Sequence, residues 1–141
     1  MIPYIFGYFF TLYIALINKK KLNLFFSIIL FTFLTLFIGL RYQIGPDWQV
    51  YVNHFGYAIS NFYEREIGYA LMQVFARNTG TGIYGLNLFS AIIFTFGLIF
   101  FAKSTKNPGL CILSAFPYFI VVVSMGFLTQ AIALGFEMIV P

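Results

Sequence analysis

The chain has 141 residues and a net charge of +4, with 61% hydrophobic and only 9% charged side chains and a mean hydropathy of +0.91. Soluble domains carry about 25% charged residues, so this composition excludes an ordinary soluble domain and places the chain in lipid. Strict alternation of apolar and polar residues is absent, which argues against a membrane β-barrel and leaves helices that satisfy their own backbone groups.

The first apolar run, Ile2 to Ile17, is followed rather than preceded by its positive cluster Lys19-Lys20-Lys21, the reverse of a secretory leader. It is a first span, slightly short at ~1.5 Å per residue, with the lysines reaching outward along their apolar stems. Leu22 to Leu40 and Ile83 to Ala102 each supply about the 20 uncharged residues that a ~30 Å hydrocarbon core needs. Leu110 to about Leu128 makes another span through Pro117, a residue membrane helices tolerate because neighbours re-satisfy the freed carbonyl. The last run, Ala131 to Val140, is too short to cross, contains Glu137 and stops at Pro141. The expectation is a fragment or truncated product, with a surface-lying last helix as the alternative. Without repeats or a low-complexity linker, 1–141 forms a single transmembrane domain: an all-α, multi-pass transmembrane helical bundle.

Lys19, Lys20, Lys21, Lys103 and Lys106 fall on one side of these spans and Arg41, Arg65 and Arg77 on the other. The excess of positive charge marks the cytoplasmic side, which puts the N-terminus and everything from Arg41 to Gly82 outside. Ile67 to Ala76 therefore does not cross. Cys111 is alone, so neither a disulfide nor a cysteine metal site is expected. Gly80-Thr81-Gly82 lacks the Lys-Ser/Thr pair of a phosphate loop. No cofactor, metal or nucleic acid is called for.

The outer segment begins with "GLRYQIGPDWQVYVNHF", Gly39 to Phe55. Gly45-Pro46-Asp47 is a turn that starts a helix, with proline fixing φ and aspartate favouring the positive end of the dipole. Trp48, Val52, Phe55 and Ile59 then share one arc, with Asp47, Tyr51 and His54 beside them. This is an amphipathic surface helix with Trp48 and Tyr51 in the aromatic belt. A second such helix starts near Asn61, where Asn61-x-x-Glu64 resembles a capping box, and ends at Asn78-Thr79-Gly80. Plain readings stand beside functional ones: Arg41 as an interface anchor, Asp47 as a cap, His54 as a surface residue, and Glu64-Arg65-Glu66 as a solvated charge run.

The same stretch, followed by "EIGYALMQ" and "FFAKSTKNPGLCILSAFPYF", resembles the EpsG family, Wzy-like bacterial membrane proteins of exopolysaccharide and O-antigen assembly. Arg41, Tyr42, Gly45, Asp47 and Tyr51 match its R-Y-x-x-G-x-D-x-x-x-Y pattern, and Glu66, Gly68 and Tyr69 match its E-x-G-Y pattern. The family is more than twice this long, so the resemblance covers its N-terminal part. It implies a polymerase-like protein of the bacterial inner membrane, joining oligosaccharide repeats carried on polyprenyl diphosphate, alongside other polysaccharide-assembly proteins. On that resemblance Arg41 suits the diphosphate, being permanently charged and bidentate. Asp47 or Glu66 is the candidate general base, with holding Arg41 in place the favoured role for Asp47. Tyr42, Tyr51 and Tyr69 suit stacking on sugars. Gln130 belongs to the substrate-binding set, but Thr129 stands where the family has arginine, so the chain by itself is expected to make no polymer. A non-catalytic remnant or accessory subunit is the alternative. A transporter fits less well, because its charges belong inside the bundle and these gather at one surface.

Overall fold

A computed structural model describes residues 2–18, 20–56 and 67–140. All the regular structure there is helical: α1 (Ile2–Ile17), α2 (Leu24–Gly39), α3 (Trp48–Gly56), α4 (Ile67–Asn78), α5 (Gly82–Ser104), α6 (Pro108–Ala115) running on into a π-helical segment (Phe116–Ser124), and α7 (Leu128–Glu137). No strand occurs among the described residues.

The expected spans differ in length once folded. Gly82–Ser104, with 23 residues, is long and apolar enough to cross a membrane, whereas Ile2–Ile17, Leu24–Gly39 and Pro108–Ser124 are shorter apolar helices. α2 loses residues at both ends of the expected Leu22 to Leu40 run. Asn23 adopts an extended ψ of 153° ahead of the first turn, and at the other end the last turn closes with Leu40 donating its amide to the Leu36 carbonyl. Leu22 instead packs into the core as an extended residue.

α5 is the axis. Its buried Phe94, Leu98 and Ala102 meet Leu30, Leu34 and Ile38 of α2 in the main core. The two helices are antiparallel, because Gly39 approaches Leu88 while Ser27 and Phe31 lie beside Phe96, Phe100 and Lys103. α1 packs on α2 through aromatic rings, Tyr4 on Phe37 and Phe10 on Phe33 at 6.1 and 4.2 Å. It meets α6 where Gly109 approaches the Ala15 backbone. α4 and α5 form a hairpin, with Phe75 and Phe89 rings 5.7 Å apart. The described part of α4 has 12 residues, about 18 Å.

The last helix does not lie apart on the surface. Gly97 and Gly135 let α7 and α5 approach until backbone meets backbone: a Cβ on Gly135 would stand 2.8 Å from the Ile93 carbonyl. Small residues at such crossings let two helix backbones approach closely. α7 runs in the same direction as α5, from the Ser90–Leu128 contact to the groove that Phe100, Phe101 and Ser104 share with Glu137 and Met138. It begins beside Ser90, about two turns or ~12 Å along α5, and runs back against the direction of the incoming π segment, so the chain reverses between the two. Phe127, extended at φ −130° and ψ 99°, is the break.

Candidate functional site

Arg41 lies just beyond α2, and its position is the largest departure from expectation. In place of reaching to the interface it is 4% exposed. Its guanidinium donates from Nη1 to the Ser124 carbonyl at 2.9 Å and from Nη2 to Asn87 Oδ1 at 3.4 Å. The Ser124 carbonyl is open to it because the π segment ends there and the helix breaks three residues later, at Phe127. A terminal helix carbonyl has no amide within its own helix, and a buried one needs a donor. Pro117 stands at the head of the π segment, where its missing amide disturbs the helical ladder one turn upstream; Ser124 lies at the segment's other end, next to the break at Phe127. π segments are uncommon and recur at functional sites.

The connecting turn is shaped to deliver this contact. Gln43 has φ 51° and Gly45 φ 99°, a tight path that swings the chain from α2 into α3. A Cβ at Gly45 would come within 2.7 Å of the Met125 carbonyl and 2.9 Å of Gly126 Cα. Glycine is thus required twice, for its φ and for docking the turn on the helix break.

Around this anchor the sequence-selected residues divide. Tyr51 faces Tyr69 at 5.7 Å between ring centroids, and Tyr69 is buried. Trp48 is buried between Tyr42, at 5.9 Å, and Tyr84, at 6.5 Å, so it faces protein rather than an aromatic belt. Tyr42 itself is 62% exposed. Asp47 heads α3, its carbonyl accepting the Tyr51 amide at 2.9 Å. The hydrogen bonds that hold Arg41 go to Ser124 and Asn87. Gln130 is exposed on α7. Glu66, the other candidate base, lies outside the described residues, as does the expected helix start at Asn61.

Two members of the site were not singled out in the sequence. Asn87 is buried on α5, with its Oδ1 on Arg41; its signal was a lone amide within an otherwise apolar run. Ser124 contributes a backbone carbonyl, which side-chain patterns do not announce. Ser90 Oγ donates to the Leu128 carbonyl across the same break at 3.3 Å. Gln73 of α4 is also buried. Arg41 Nε and Asn87 Nδ2 are buried donors with no hydrogen-bond partner among the described residues. Burial pulls the Arg41 guanidinium down to about 10, with the neighbouring Tyr51 acting in the opposite sense, so it remains a cation at neutral pH. The site is therefore a buried positive centre, short of acceptors, with aromatic hydroxyls around it.

A helical protein of membrane composition, with a buried cation clamped at a helix end near a tyrosine pair, is the class these features define. The chain belongs to the EpsG family, which matches residues 23–140. Membership suggests a polymerase-like role in exopolysaccharide biosynthesis, and the family's membrane association is consistent with a membrane location. No curated protein and no solved structure matched the chain.

Proposed function

We propose that the protein is a multi-pass component of the bacterial inner membrane that acts, polymerase-like, on oligosaccharide repeats linked to polyprenyl diphosphate. The observation that carries this reading is the convergence of the Arg41-to-Tyr51 motif on Asn87 and Ser124. It puts a permanent cation with an uncommitted buried Nε at the helix ends, the level at which a lipid-linked diphosphate meets water. Tyr51 neighbours it and in turn faces Tyr69, rings that have apolar faces for sugars and hydroxyls for hydrogen bonds. Asp47 and Glu66 are the carboxylates proposed for activating the acceptor hydroxyl, with Tyr42 and Gln130 at its edges.

The test is made in a longer member of the family, changed at the arginine that matches Arg41: polymer chain length in cells carrying the arginine-to-lysine variant, with membrane protein level and thermal stability measured in parallel. Lysine keeps the charge and loses the bidentate fork, so polymer should shorten sharply while the amount of protein holds. Normal long polymer from both the lysine and the alanine variant would remove the substrate-binding role. A second reading has its own support, since both Nη groups are already spent on protein acceptors: Arg41 would then hold the helix end, in a protein with no catalysis of its own. In that case the lysine variant lowers stability in step with polymer, and suppressing the instability restores both.

A further inference from the structure

At the opposite end of the bundle, α2 and α5 leave between them a groove of about 230 Å³ lined by Ser27, Ile28, Phe31, Phe96, Phe100 and Lys103, with Ile99 at its base. From Phe96 to Lys103 it follows α5 for about 10 Å. Every lining group is apolar except those at one end, where the Ser27 hydroxyl is turned away onto the Asn23 carbonyl at 2.9 Å and the Lys103 side chain is exposed. Lys106 follows one turn later, and Lys20 and Lys21 precede α2 at this same end, all exposed. Among the described residues, the acidic side chain at this end is Glu137, which lines the neighbouring groove with Phe101 and Ser104.

An apolar slot that opens among cations is complementary to an amphiphile with an anionic head. Basic pockets between membrane helices on the cytoplasmic side take anionic headgroups, and the lysine excess assigns this end to the cytoplasm. We propose that the groove is a binding site for an anionic phospholipid, with one acyl chain lying along Phe31, Phe96 and Phe100 and its phosphate held by Lys103. The proposal rests on the membrane reading above, but not on any catalytic role for Arg41.

Native mass spectrometry of the full chain, released from detergent micelles holding equal amounts of phosphatidylglycerol and phosphatidylcholine with identical acyl chains, tests it. Phosphatidylglycerol should be retained in preference. Lys103→Gln should cut that preference about fivefold, the contribution of one lysine near a charged lipid surface. Ile28→Trp, at an exposed position, fills the slot without touching the charge and should lower retention of both lipids. Equal retention by the unmodified protein, an unchanged preference in Lys103→Gln, or undiminished binding in Ile28→Trp would each overturn the proposal. Failure of the membrane reading shows separately, as protein recovered from cells in the soluble fraction before any detergent is added.

Discussion

Gly45 and Asn87 concentrate at single positions what the site demands. A side chain at Gly45 must enter a φ of 99° and displace the Met125 carbonyl. Residues forced into such sparsely populated regions cost about 1–3 kcal/mol before any clash is counted. Gly45→Ala should therefore lower the thermal unfolding temperature in detergent, whereas Gly80→Ala, at φ 66° but with nothing within 4 Å of its Cβ, should lower it less. Equal shifts would show that docking on the helix break adds nothing. Asn87→Leu removes the acceptor from Arg41 Nη2 in a buried setting, for an expected loss of about 1–3 kcal/mol. Because Arg41 and Asn87 share one hydrogen bond, their losses should not add in a double-mutant cycle. Of these residues, glycine and arginine stood out in the sequence through turn chemistry and charge. Asn87 did not, because an amide in an apolar run declares its polarity but not which helix end will fold back upon it.

Among the elements, the helices were legible and their interruptions were not. Apolar run length foretold α1, α2 and α5, and the Gly45-Pro46-Asp47 turn and the Asn78-Thr79-Gly80 stop marked the start of α3 and the end of α4. Pro117 was visible too, yet a proline in an apolar helix signals only that the ladder is disturbed there, not that a π segment follows. The break at Phe127 carried no mark at all, because the donor that meets the Ser124 carbonyl is Arg41, far away in sequence. The course of α7 along α5 was missed because its cause is two glycines, Gly97 and Gly135, that carry no hydrophobic signal. Their contact gives an element-scale prediction. Gly97→Leu overpacks the crossing, where a Cβ at Gly97 would already run into the Gly135 carbonyl, and should lower the thermal unfolding temperature in detergent by the equivalent of about 1–3 kcal/mol. An unchanged temperature would mean that α7 is held elsewhere.

For the molecule as a whole, charge placement divides it into an Arg41 end and a lysine end. The prediction is that cysteines introduced at Asn53 and Ser104, again without Cys111, react oppositely with a membrane-impermeant thiol reagent applied to intact cells: Asn53 labels and Ser104 does not. The reverse pattern would invert the orientation and move the lipid groove to the outer leaflet. The contact that closes the Arg41 end also has a consequence in time. Arg41 and the Ser124 carbonyl are 83 residues apart, and ribosomes add about 5–20 residues per second. For about 4–17 s after Arg41 is made, the carbonyl that will hold it has not yet been synthesised. Throughout that interval the guanidinium must stay hydrated, and the turn carrying Gly45 has nothing to dock on. The Arg41 end thus cannot mature before Ser124 is made, and a ribosome stalled just short of it would leave a chain with α1 to α6 present but without the contact that holds Arg41.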